Sequence, residues 1–182
     1  MTKNLDNDGL RSIVENYDIF YIDLWGVVHN GITLHKNAIE ALEEITKANK
    51  DYVLLTNAPR PNKVVKTILE KMGMNKKIRD KVYSSGEASL SYLKKNYSDK
   101  SFYHIGPTRD FDLFSCFKKN KSKDIKGSKY LLCTGLFEEH AEDLNYFKDL
   151  LKEHINKIMI CTNPDLSLIH ISEPTRRTPI SY

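Results

Sequence analysis

The chain has 182 residues, 40% apolar and 29% charged, which suits one ordinary domain or a domain with an insert and excludes a disordered tail. No apolar run nears the ~20 residues of a membrane helix, and Met1–Asp6 lacks the apolar stretch of a signal peptide, so no membrane partner is expected. The net charge is only +4, and three widely spaced cysteines (Cys116, Cys133, Cys161) exclude a disulfide framework and a paired zinc site and suit a reducing cytoplasm.

Residues 19–22 (IFYI) read as a strand buried on both faces, ending at Asp23. Ala38, Ile39, Leu42 and Ile45 give helical spacing across residues 37–50. Residues 52–55 (YVLL) are a second buried strand, ending at Thr56-Asn57. Pro61 can open the next helix, whose apolar stripe is Val64, Val65, Ile68, Leu69 and Met72, with Gly73 fitting its C-terminal cap. Residues 82–84 are a weaker third strand, followed by a helix near residues 87–96.

The second half repeats the alternation less clearly. Residues 102–105, 130–133 and 157–161 read as strands, and residues 139–154 as a helix with Leu144, Phe147 and Leu151 on one face. The alternation predicts an α/β fold with a parallel sheet. Residues 118–129 hold six lysines and no aromatic residue for base stacking. They read as a solvated loop and the best internal linker, so no nucleic-acid partner is expected.

Residues 166–182 (LSLIHISEPTRRTPISY) break from the rest. They contain no lysine and no asparagine, whereas residues 1–165 contain all 22 lysines and all 14 asparagines. Leu166 to Arg176 resembles a sequencing adapter translated in frame. The tail is set aside as non-native. Without Glu173, Arg176 and Arg177 the charge falls to +3, and the natural protein is expected to continue past Asp165.

In an open parallel sheet, ligands bind at the carboxyl ends of strands. Asp23 and Thr56-Asn57 stand at two such ends. A carboxylate directly after four apolar residues needs a partner or a metal, and Gly26 permits a tight turn against a ligand. Carboxylate, hydroxyl and loop backbone could together hold a phosphate and a divalent cation. Equally, Asp23 could cap a loop and Thr56-Asn57 could form a turn; spacing alone leaves both readings open.

The residues themselves carry a resemblance. Asp23-Leu24-Trp25-Gly26-Val27-Val28-His29-Asn30-Gly31 resembles the first motif of the haloacid dehalogenase superfamily, in its class IIA phosphatase-like branch. Leu54-Leu55-Thr56-Asn57-Ala58-Pro59-Arg60-Pro61 resembles the second. Ser84-Ser85-Gly86-Glu87, Ile105-Gly106-Pro107, Cys133-Thr134-Gly135-Leu136 and Thr162-Asn163-Pro164-Asp165 match in order. Together they resemble a class IIA subfamily with an Asp-x-Trp-Gly-Val first motif, over nearly all of residues 15–165.

The resemblance implies a Rossmann-like core, incomplete here, with an inserted α/β cap. Residues 1–85 would supply the first half of the core, residues 86–165 most of the cap, and residues 166–182 the non-native tail. It implies that Asp23 attacks a phosphate ester to give an aspartyl-phosphate, with Mg²⁺ held by Asp23 and the Trp25 backbone carbonyl. Thr56 and Asn57 would bind the phosphoryl group, beside Gly26, and Arg60 would meet either an anionic substrate or solvent. Most phosphatases of the superfamily carry a second Asp, the general acid and base, where this chain has Trp25. General acid–base help is worth ~10²–10⁴-fold, so slow turnover or another acid is expected.

The resemblance also implies a lysine and an acidic Mg²⁺ motif beyond the Asn-Pro-Asp segment, both absent from this chain. The expected substrate is a small phosphorylated metabolite, by default a sugar phosphate; no motif names it or the oligomeric state. Two other readings are carried: a non-catalytic binder of phosphorylated metabolites, and an inactive fragment whose first strand is an open edge. His29 could touch a substrate, but His29 and His35 lack metal-ligand spacing. Lys63 and Lys66 read as the solvated face of a helix. The three cysteines read as buried and inert, and His140 and His154 as surface residues on one helix.

Overall fold

The computed structural model describes residues 9–162 and divides them into two compact units. The first takes the described residues up to Thr56 together with Asn62–Ser84; the second takes Asn57–Pro61 and the described residues from Ser85 onward.

In the first unit, β1 (Ile19–Asp23), β2 (Asp51–Thr56) and β3 (Val82–Ser84) form a parallel sheet in that order. Its helices are α1 (Lys36–Lys47), α2 (Asn62–Lys71) and the short α3 (Lys76–Arg79). Leu42 and Ile45 of α1, Val65 and Leu69 of α2, and Tyr52 and Leu54 of β2 are buried. The stripe expected on α2 is narrower than predicted, because Val64 is exposed. Gly73 takes a positive φ of 86°, and Met74 N–H donates to Leu69 O at 3.0 Å, so the glycine ends α2 as expected. The Asn62 side chain accepts from Ser84 N–H at 2.9 Å, tying the start of α2 to the end of β3.

The strand β1 departs from expectation. Among the described residues it pairs on one side only, with β2, and it is not buried on both faces. Phe20 and Ile22 are half-buried, while Ile19 and Tyr21 are exposed. An apolar run is compatible with a two-sided strand, but the run itself cannot supply the second cover.

The second unit repeats the design. Its sheet is β4 (Phe102–Ile105), β5 (Tyr130–Cys133) and β6 (Ile158–Cys161), parallel and in that order, with α4 (Ser85–Asn96) and α5 (Leu144–Lys152). Leu90, Leu93, Phe102, Phe114, Phe117, Tyr130 and Leu132 form one core cluster; Ile105, Ile125, Leu131 and Phe147 form another. The helix expected over residues 139–154 is shorter. Asp143 caps α5 by accepting from Asn145 and Tyr146 N–H at 3.0 Å, and Leu144 is exposed. His140 therefore lies in a separate 3-10 turn, stacked on Tyr146, and both His140 and His154 are half-buried.

The lysine-rich segment is not a linker. A 3-10 stretch, Thr108–Asn120, runs into it and buries Phe114 and Phe117. Ser122 N–H then donates to Phe102 O at 2.7 Å, and Ile125 enters the core. Its lysines point outward from a segment anchored by a few apolar residues, which composition alone hides.

Candidate functional site

The register of the first sheet sets Asp23 beside Leu55, so the carboxyl ends of β1 and β2 lie together and Thr56 extends one residue further. Thr56 in turn pairs with Ser84 of β3. Asp23 is exposed, not buried, so solvation meets the need for a partner expected from its apolar neighbours. One of its oxygens, Oδ1, accepts from Leu24 N–H at 2.8 Å.

The chain then folds back on itself. Val28 N–H donates to Leu24 O at 2.9 Å and Gly26 N–H to His29 O at 2.8 Å. Gly26 has φ 76° with open space around it, so backbone conformation alone calls for glycine there. At Gly31 the reason is space as well: a Cβ would come within 2.5 Å of the Trp25 indole. Trp25 lies over Gly31, edge-on to His29 at 5.6 Å between centroids, and is half exposed.

His29 is 8% exposed, and its Nδ1 accepts from Gly31 N–H at 2.9 Å. Burial, and then His35, push its pKa down, while Asp23 pulls it up. A neutral imidazole holding its loop suits that position better than the substrate contact considered from sequence. His29 and His35 are near each other electrostatically, but among the described residues no three His, Cys, Asp or Glu side chains form a metal-binding group.

Asp23, Trp25, Gly26 and Thr56 thus come together in the first unit. Asn57 and Arg60 follow in sequence but belong to the second, where the start of α4 holds them. Ser85 Oγ donates to Asn57 O at 3.1 Å and Gly86 N–H to Ala58 O at 3.1 Å. A Cβ on Gly86 would sit 2.3 Å from Arg60 N, so the Ser-Gly pair after β3 fits the close approach of this segment. Lys63 is exposed as expected, whereas Lys66 pairs with Asp80 at 3.3 Å. Asn163, Pro164, Asp165 and the tail lie outside the described residues.

A second polar cluster was not anticipated. At the carboxyl ends of β4 and β5, His104 Nε2 lies 2.9 Å from Thr134 Oγ1, and Thr134 also hydrogen-bonds Asp110. All three are buried. Burial, with a smaller effect of Lys121, lowers the His104 pKa to about 4. Burial raises that of Asp110, against the pull of Arg109 and Arg60. Arg60 therefore has a carboxylate near it within its own unit. The sequence signal was present only as Ile105-Gly106-Pro107 and Cys133-Thr134-Gly135, two strand ends with a small polar residue.

The cysteines also differ from expectation: Cys116 and Cys161 are exposed and Cys133 is half-buried.

Residues 20–117 match the family model described as haloacid dehalogenase-like hydrolase, 98 of 182 residues. The chain resembles a solved haloacid dehalogenase-like hydrolase from Brucella suis, with 28% identity and a TM-score of 0.71, over 86% of this chain and 57% of that one. It shares the fold of a p-nitrophenyl phosphatase from Archaeoglobus fulgidus (16% identity, TM-score 0.60, 81% and 56% covered). It also shares that of a glycerol phosphate phosphatase from Mycobacterium tuberculosis solved with magnesium (18%, 0.58, 84% and 46%). None of the curated proteins matches the chain. The chain spans about half the length of these structures. It belongs to the haloacid dehalogenase-like hydrolase family.

Proposed function

From that membership we propose that the protein hydrolyses phosphate monoesters of small metabolites, a sugar phosphate being the default. The observation that carries the reading is an exposed carboxylate, Asp23, at the end of β1, with Thr56 one residue beyond its register partner Leu55 at the end of the adjacent β2. Asp23 attacks phosphorus, the ester oxygen leaves, and water then cleaves the aspartyl-phosphate. Thr56 donates to a phosphoryl oxygen. Residues 1–85 are read as core and residues 86–165 as cap, which would select the substrate.

The two donors read for the cation, the Asp23 carboxylate and the Trp25 backbone carbonyl, are both oxygens. That suits Mg²⁺, a hard cation that keeps several waters and takes few protein ligands. When bound it would offset charge on the phosphoryl oxygens.

Replacing Asp23 with Asn tests the assignment, because an amide neither attacks phosphorus nor binds Mg²⁺ well. In a protein that spans the full length of its structural relatives, aryl phosphate turnover should fall on the order of 10⁴-fold or more, as on loss of other nucleophiles. Unchanged turnover in a folded Asp23→Asn protein would overturn the role. One observation favours a second reading, non-catalytic binding: the indole of Trp25, which cannot move a proton, occupies this loop beside His29. Phosphate-ester binding with no turnover across a panel of esters and divalent cations would select it.

A further inference from the structure

The β5–β6 register pairs Cys133 directly with Cys161. Paired residues on adjacent parallel strands project to the same face, and strands lie about 4.8 Å apart, inside the ~4.4–6.8 Å between Cα atoms that a disulfide needs. The Cys133 thiol donates to Gly135 O at 3.4 Å, and Cys161 is close enough to act on it electrostatically. Twenty-eight positions separate them in the chain, so the fold alone brings them together. Around them the strand ends are pinned: Thr162 N–H donates to Cys133 O at 2.9 Å, and Ser85 Oγ donates to Thr162 O.

We propose that Cys133 and Cys161 form an oxidisable cross-strand dithiol, a modification site that reacts with a small disulfide such as oxidised glutathione and closes to a disulfide between β5 and β6.

The two thiols are not equivalent. Cys161 is exposed; Cys133 is half-buried, and burial together with its neighbour raises its pKa to about 12. Cys161 is therefore the attacking thiol and Cys133 the slower, resolving one. The Cys161 thiolate attacks one sulfur of the small disulfide, the S–S bond breaks, and one glutathione thiolate leaves. The Cys133 thiolate then attacks the Cys161 sulfur and expels the second. Two protein thiols are oxidised and one small disulfide is reduced to two thiols, which take up the two protons the cysteines lost. Cys116, exposed on the 3-10 stretch, has no cysteine paired with it by strand register and serves as the internal control.

The chain is incubated with oxidised glutathione, quenched by alkylation and mapped by peptide mass spectrometry. The expected product links the Cys133 and Cys161 peptides, reverts with dithiothreitol, persists in Cys116→Ser and is absent in Cys161→Ser. Closure should be about tenfold or more faster in the folded chain than in urea, because the register holds the thiols together. Three results would each overturn the proposal: Cys161 stopping as a stable glutathione adduct, both thiols remaining alkylatable, or equal closure rates folded and unfolded.

Discussion

The two units end their strands in opposite ways. In the first, the carboxyl ends of β1 and β2 present Asp23 to water, with Gly26 and Gly31 shaping a thin loop around them. In the second, the ends of β4 and β5 enclose His104, Thr134 and Asp110 out of solvent, bonded to one another. The same parallel arrangement thus yields an open end, where a ligand can arrive, and a closed one, where the polar groups satisfy each other. A carboxylate buried as Asp110 is holds its proton to higher pH.

The sharpest way to break the contrast is at Trp25. If the open end is a reaction site lacking only an acid, Trp25→Asp in a protein that spans the full length of its structural relatives should raise turnover of an activated aryl phosphate by about 10²-fold or more. The exchange also uncovers Gly31, so folding and Mg²⁺ binding must be checked in the same sample. Turnover that stays flat in a folded, Mg²⁺-binding variant would mean that another group already supplies the proton.

The open end was legible in the sequence, and the closed one was not. Asp23 and Thr56-Asn57 each follow a short apolar run, and that punctuation marks a strand end without any tertiary knowledge. His104 lies inside its strand and Asp110 in a 3-10 stretch, and only the β4–β5 register carries Thr134 to them. Most strands were legible as short apolar runs between turn residues, the short β3, with its terminal serine, less so. What covers each face was not. The apolar run of β1 gives no sign that Tyr21 is exposed, and the lysines after Asn120 hide Ile125, which is buried. Periodicity reports a local preference; burial depends on what the rest of the chain brings alongside.

The closed end makes its own prediction, in stability. His104 has a folded pKa of about 4 against an ordinary value of 6.5. Between those values the unfolded chain takes up a proton that the folded chain refuses. Stability therefore declines as pH falls from 6.5 to 4, by about 3 kcal/mol in all from this residue. Asp110 acts in the opposite sense. Its folded pKa is raised, so its contribution is present in acid and is lost as pH rises through that value. Urea melts from pH 4 to 7 should show the His104 slope, flattened in His104→Gln, whose amide can still bond Thr134. Identical slopes in the two proteins would show that His104 is hydrated enough to protonate in place.

The smallest expected effect lies deeper in the second unit, where one polar group is left over. Tyr130 on β5 is 1% exposed, with its ring 4.6 Å from that of Tyr97 and 5.6 Å from that of Phe102. Among the described residues its hydroxyl has no hydrogen-bond partner, unlike the Thr134 hydroxyl four residues on. Burial, and then Tyr97, push its pKa up to about 12, so it stays protonated and uncharged at any ordinary pH. A buried hydroxyl without a partner costs about 1–3 kcal/mol, since it has given up water and gained nothing. Phenylalanine keeps the ring and its contacts and removes only that oxygen. Tyr130→Phe should therefore stabilise the chain by about 1 kcal/mol, part of the benefit being lost to the small space the oxygen leaves. In a thermal melt this is a rise in Tm of a few degrees, with an unchanged urea m-value. A fall in Tm would show that the hydroxyl is bonded after all, and that the second unit satisfies its interior polar groups as fully in its core as at its strand ends.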